Sequence, residues 1–254
     1  MVWNEVEGLL IRTRIQPSLR DRSKRLGGRK FVQHGFANGC KWRGLPSSFG
    51  KWHTVYTRLR RWQNKGVLER VFRALQEQRI VAVTLQVLGL DSTSVKVHPD
   101  GAGALKKNGP QAIVHSRGGC TTKIHLVAAN ERTAVTFSLS PGNAGDVPCG
   151  RALVMATGSA SVQVAYLVVD KAYEGDETRD LARQLSYEPV VPPKENRREP
   201  WQCDPKMYRR RNEVEWLFRR LNGFRRVFTR FEKLDAMYMA VLTFALIVEA
   251  LRQY

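Results

Sequence analysis

Three acidic residues stand where a carboxylate is out of place unless it has something to hold. Asp91 interrupts the apolar run LGLDSTSVKV, Asp170 ends another in AYLVVDKAY, and Glu215 lies in MYRRRNEVEWLFRRLNGF beside the apolar stripe of Val214, Leu217, Phe218 and Leu221. A carboxylate against such neighbours is costly unless a cation or donor neutralises it. Each alone has an ordinary explanation: a strand-end Asp bonded to a turn amide, or a helical Glu paired with Arg211 or Arg219 at i±4. Taken together they suit hard divalent cations, which need several oxygen ligands and promote in-line displacement at phosphorus. On a helical step of about 100°, Tyr208, Arg211, Glu215 and Asn222 fall on one edge, within about 60° of one another, whereas Glu213 is rotated about 160° from Glu215 and is expected to face solvent. Asp100, Asp146, Glu174 and Asp176 read as loop or cap carboxylates. His98, His115 and His125 show no ligand spacing.

The elements that must position these groups follow from hydrophobic period. Ser47 and Ser48 can cap a helix in which Trp52, Val55, Leu59 and Trp62 recur at helical spacing while Arg58, Arg60 and Arg61 take other faces; Gly66 stops it, and Val67, Val71 and Leu75 begin a second. From Val81 the period becomes that of strands, at 87–97, 121–128, 135–139 and 165–169, with a short fifth at Val190 and Val191 and a helix around 180–185. The apolar run 236–248 is too short to span a bilayer, which takes about 20 residues, and reads as a buried helix closing the core. Three meandering strands, then strand, helix, strand and a long C-terminal helix, make an α/β protein of mixed sheet flanked by helices, the order of an RNase H-like fold. A basic helical region, 1–79, precedes that domain, 80–254; residues 1–38 carry no clear periodicity.

Charge supports a polyanionic partner. The 254 residues have a formal net charge of +19, and 43% are hydrophobic, enough for a packed core. The excess is segregated: residues 1–79 sum to +13, 80–193 to zero and 194–233 to +7. Two basic arms flank a neutral middle, so phosphate contact through counterion release is expected from the arms. Lys106, Lys107, Arg117 and Lys123 add candidate backbone contacts near the acidic residues. Cys40, Cys120, Cys149 and Cys203 are far apart and lack zinc spacing, so reduced thiols in a cytoplasmic protein are expected.

The motifs around these residues carry a family likeness. LDSTSVKVH at Asp91, SRGGCTTKIH at 116–125, SLSPGNAGD ending at Asp146, DKAY at Asp170, PPK at 192–194 and YRRRNEVE at 208–215 resemble bacterial insertion-sequence transposases of the DDE type, the short group numbered five, over about 39–251. The helix signature of that group, Y-x2-R-x3-E-x6-K, is met by Tyr208, Arg211 and Glu215; Asn222 stands where the group usually has lysine. KWRGLPSSFGKWHTVYTRLRRW resembles its N-terminal region, which recognises the ends of the mobile element.

The resemblance implies an RNase H-like catalytic domain in which Asp91, Asp170 and Glu215 bind Mg²⁺ (or Mn²⁺). The implied reaction is cleavage at element ends and transfer of the freed 3′-hydroxyls into target DNA. Tyr208, Arg211, Arg219, Asn222, Lys123, Arg58 and Arg61 are the expected DNA contacts. Double-stranded DNA is the implied partner, bound by a homo-oligomer, with no membrane and a nucleoid-associated location in the cytoplasm. Two other readings of the same residues are a hydrolytic RNase H-like nuclease and a catalytically inactive protein that only occupies DNA ends.

Overall fold

A computed structural model of the chain describes residue 35 and residues 38–77, 86–102, 109–116, 118–160 and 165–252. Most of 1–38, with Lys106, Lys107 and Arg117, lies outside these. The described residues fall into two compact units, one drawn from Met1–Ala82, Val97–Gln111 and Leu221–Tyr254, the other from Val83–Lys96 and Ala112–Arg220.

The first unit is helical. α1 (Trp52–Asn64) and α2 (Val67–Glu77) are joined through Gly66, whose φ of 63° is the left-handed turn that glycine adopts without strain. Val67, Leu68, Val71, Phe72 and Leu75 bury one face of α2, while α1 buries Leu59 and exposes Arg58, Arg60 and Arg61. The C-terminal helix Asp235–Leu251 closes this helical core, packing on α1 and α2. Trp52 and Trp62 are half-buried.

The second unit is a sheet with helices. Its strands are β1 (Val87–Val97), β2 (Val114–Ser116), β3 (Gly119–Ala128), β4 (Ala134–Pro141), β5 (Tyr166–Val169) and β6 (Glu188–Val190). They run in the order β2-β3-β1-β5-β6, with β4 also paired to β3. β1, β3 and β4 pair antiparallel, whereas β5 lies parallel to β1 and β6 parallel to β5. Apart from the short β2, this is three meandering strands extended by two parallel ones, the RNase H-like arrangement. Leu88, Leu90, Val127, Leu153, Leu167, Val169 and Tyr173 form its principal core.

One element was not expected from the sequence. α3 (Asp146–Thr157) connects β4 to β5, with Asp146 in its first turn and Gly158, at φ 83°, just past its end. A negative charge in the first turn and a glycine after the last are favourable helix boundaries. Gly150 in its interior conceals the helix from a propensity reading, and packing explains the residue. A Cβ there would come within 2.5 Å of Tyr173 Cε1 and 3.1 Å of Leu90 Cδ2. α4 (Asp176–Gln184) follows β5 as expected, beginning earlier than 180.

Two predictions follow from this packing. Gly150→Ala overpacks a contact between Leu90 and Tyr173, and a well-packed core resists such insertion by about 1–3 kcal/mol, so thermal denaturation of the variant should show a lower midpoint. His125, fully buried on β3, shares a 2.7 Å hydrogen bond between Nε2 and Ser140 Oγ. Burial pushes its imidazole below the usual value; Asp146 pulls the other way and Lys123 adds to the depression. The unfolded chain therefore takes up the proton first, so this group's contribution falls as pH drops below about 6.5 and is flat above it. Melting curves should be more acid-sensitive for wild type than for His125→Gln; equal sensitivity would exclude His125 as a source.

Candidate active site

Register brings the first two carboxylates together. In the parallel pairing Leu90 sits beside Val169, so the next residues, Asp91 on β1 and Asp170 just past β5, come side by side. Helix α6 (Asn212–Leu221) supplies the third. A Cβ on Gly89 would stand 3.4 Å from Val214 Cβ, so the helix passes close over β1 two residues before Asp91 and brings Glu215, the neighbour of Val214, to the same place. Val214 and Leu217 are completely buried, which fixes the helix on the sheet.

The three carboxylates share one guanidinium. Arg211 Nη1 lies 3.2 Å from Asp91 Oδ2 and 3.9 Å from Asp170 Oδ1, while Nη2 donates to Glu215 Oε1 at 2.5 Å. Burial raises the Asp91 carboxyl above its ordinary value, Asp170 and Glu215 push it the same way, and the Ser92 amide and Arg211 pull it back. Burial works against the charge on Arg211, yet Asp91, Glu215 and Asp170 together hold its affinity for the proton above the usual level. Tyr208 donates its hydroxyl to Asp170, and its own ionisation is suppressed, by burial foremost.

Behind Asp91 a second polar layer fixes its orientation. The Ser92 amide donates to Asp91 Oδ1 at 2.7 Å, and Ser92 Oγ donates to Asp146 Oδ1 at 2.8 Å. Lys123 Nζ donates to the same Asp146 oxygen and to the Ala144 carbonyl, both at 2.9 Å. Lys123 is thus largely buried in an ion pair. The sequence pattern reads Asp146 as a loop or cap carboxylate and does not single out Ser92. The signal for both was present in SPGNAGD and LDSTS, but only the pairing of β1 with β3, which sets Ser92 against His125, brings these segments together.

The helix carrying this edge is not continuous. α5 (Pro205–Tyr208) gives way to a 3-10 turn, Arg209–Arg211, before α6 begins. A 3-10 turn advances about 120° per residue, so the uniform 100° step fails across it. Glu213, expected in solvent, is instead largely buried and accepts a 2.8 Å hydrogen bond from Arg210 Nε. Asn222 is exposed in the turn beyond Leu221, off the helix on which it was expected. Arg219 is exposed in the last turn of α6, and Arg58 and Arg61 are exposed on α1.

Part of the second basic arm is internal. Arg226 pairs with Glu232, both buried, and lies over the Trp42 ring. Arg230, fully buried, bonds Asp235 at 2.7 Å. Lys194 of the PPK motif approaches the buried Glu174 carboxylate at 3.3 Å.

The donor chemistry suits a divalent cation: hard oxygen ligands on three carboxylates gathered around a positive charge. Among the described residues, no group of three or more His, Cys, Asp or Glu side chains is arranged to hold a metal ion as it stands; in the triad the Arg211 guanidinium lies among the carboxylates. No helix among the described residues is long and apolar enough to cross a membrane.

Comparison with known proteins bears on the family of the chain. A curated protein of Brucella ovis, described as "Putative transposase for insertion sequence element IS6501", is 27% identical over 126 residues, covering 49% of this chain and 94% of that one. An uncharacterised Sinorhizobium fredii protein is 34% identical over 85 residues, 32% of this chain and 65% of that one. Among solved structures, the Mos1 transposase paired-end complex with left transposon end aligns with 91% of this chain and 80% of its own, at 11% identity and a TM-score of 0.29. The family described as "Putative transposase of IS4/5 family" matches residues 2–72. With the family described as "Transposase DDE domain" matching residues 84–248, which hold all three carboxylates, the chain belongs to the DDE transposases of insertion sequences.

Proposed function

We propose that this transposase binds the double-stranded ends of its insertion sequence, cleaves there and transfers the 3′-hydroxyl ends into target DNA. The observation that carries the reading is the convergence of Asp91, Asp170 and Glu215, from two adjacent strand positions and one helix, on a single cationic point. These three residues would hold Mg²⁺ or Mn²⁺. Such ions activate the attacking oxygen and stabilise the leaving one in displacement at phosphorus.

The chain's own residues do the rest. Ser92, backed by Asp146 and Lys123, holds the Asp91 carboxylate in one orientation. Tyr208 holds Asp170 in the same way, and Arg211 holds Glu215. Val214 and Leu217 keep α6 seated so that Glu215 stays over β1. Exposed Arg58 and Arg61 on α1, with Arg219 and Asn222, contact the phosphate backbone; the basic helices of 1–79 supply end recognition and 80–254 the chemistry. The protein acts as a homo-oligomer on DNA, in the nucleoid.

A strand-transfer assay with Mg²⁺ and element-end DNA tests the carboxylate assignment. Glu215→Gln should reduce product by at least about 10²-fold, the scale of losing one positioned catalytic interaction, while Glu213→Gln should stay close to wild type. Equal loss from both substitutions would contradict the assignment. DNA affinity provides an independent check on the phosphate contacts. It should fall about 10³-fold or more between 50 and 200 mM salt if six or more phosphates are neutralised, and a flat response would exclude a phosphate-dominated interface.

A further inference from the structure

We infer that Arg211 is a built-in competitor for the metal position: it occupies the space between Asp91 and Asp170 while the site is metal-free, and vacates it when a divalent cation is bound. The inference rests on the proposed metal-binding role of the triad. Its basis is the division of labour between the two ends of the guanidinium. Nη1 faces both aspartates, at 3.2 Å and 3.9 Å, whereas Nη2 faces Glu215 alone at 2.5 Å. A guanidinium neutralises carboxylates through N–H donors at hydrogen-bond distance, but Mg²⁺ requires oxygen ligands at about 2.0–2.1 Å in near-octahedral array. Nη1 donates to Asp91 Oδ2 and stands 3.9 Å from Asp170 Oδ1, so it fills the space in which an ion ligated by both of these oxygens would lie. The guanidinium does not deprotonate, so it cannot yield by losing its charge. It must move.

The local structure permits that movement. Arg211 ends a 3-10 turn rather than sitting within the regular helix, and the bond to Glu215 spans a single turn of chain. Nη1 can leave the aspartates while Nη2 keeps Glu215. The released end is then a donor beside the proposed catalytic point, suited to a phosphate oxygen. Metal loading and phosphate binding are thereby coupled through one side chain: without metal the arginine quenches repulsion within the triad, and with metal it becomes available to DNA.

Mn²⁺ binding to the full-length, DNA-free protein, measured by electron paramagnetic resonance of free Mn²⁺, tests this without turnover. Arg211→Gln should bind Mn²⁺ roughly tenfold or more tightly than wild type, on the scale of one charge-assisted hydrogen bond that the ion no longer has to displace. In chelator the same variant should melt below wild type, and Mn²⁺ should raise its midpoint by more. Arg210→Gln is the control for general electrostatics, since Arg210 carries the same charge one residue away but pairs with Glu213. It should change Mn²⁺ affinity less than twofold. Arg211→Lys, which keeps the charge without the fork, should fall between Arg211→Gln and wild type, and circular dichroism confirms that each variant is folded.

Unchanged or weaker Mn²⁺ binding in folded Arg211→Gln overturns the inference, as does an equal gain from Arg210→Gln. Asp91→Asn separates the two levels of the argument. If it keeps wild-type Mn²⁺ affinity, or if wild type binds none, the triad is not the metal site and both readings fall. If it loses binding while Arg211→Gln gains none, only the competition fails.

Discussion

Three negative charges gathered at the carboxyl end of a parallel strand pair are the constraint on which the catalytic unit is organised. Unit charges about 4 Å apart in surroundings of effective dielectric near 20 interact by about 4 kcal/mol, so three half-buried carboxylates cannot be held together without positive charge among them. Arg211 supplies it from within the chain. The direction of the Asp91 shift records the contest: burial and two neighbouring acids raise it, against one amide and one guanidinium. Here sheet register and helix packing enforce it, which is the pattern expected where charge concentration serves chemistry.

Packing rather than polar bonding holds the acids in place. Leu90 immediately precedes Asp91, and Tyr173 lies three residues after Asp170; both press on the bare backbone of Gly150 in α3. Gly89, one residue earlier still, admits Val214 and with it the helix that carries Glu215. Two glycines therefore set how closely helices approach the strands that bear the aspartates, and the polar layer of Ser92, Asp146 and Lys123 then fixes the orientation of Asp91. Displacement of either helix by a fraction of an ångström would be felt at the carboxylates, because close-packed interiors transmit such strain.

Much of this was legible in the sequence because the relevant signals are local. A carboxylate in an apolar strand run is visible at Asp91 and Asp170, and the Y-x2-R-x3-E spacing is visible at Tyr208, Arg211 and Glu215. What escaped was set by contacts between distant segments. α3 was hidden because Gly150 answers to Tyr173 rather than to helix propensity. Ser92 and Asp146 gained their roles only when β1, β3 and the start of α3 met. The edge from Tyr208 to Asn222 assumed one uniform helix, whereas a 3-10 turn interrupts it at Arg209–Arg211 and α6 ends at Leu221; Glu213, away from Glu215 on the same helix, is covered by Arg210 instead of facing solvent. The C-terminal helix was recognised as buried, but hydropathy cannot say which core it closes; its contacts are with α1 and α2.

Charge counting has the same limitation, and it bears on how DNA is held. The segment 194–233 sums to +7 in the sequence, yet Arg226 and Arg230 are buried on Glu232 and Asp235, Arg210 pairs with Glu213, and Arg211 is committed to the triad. Arginine suits such positions because its fork bonds carboxylates in planar geometry and stacks on rings, as Arg226 does over Trp42. These cations already have their counter-charges inside the protein, so DNA contact would release few counterions from them. Any phosphate contact would then fall to cations that face solvent, among them Arg58, Arg60 and Arg61 on α1 and Arg209, Arg219 and Arg225 in the C-terminal half. Several arginines of the second arm therefore build the fold and neutralise the acids it gathers instead of facing a polyanion.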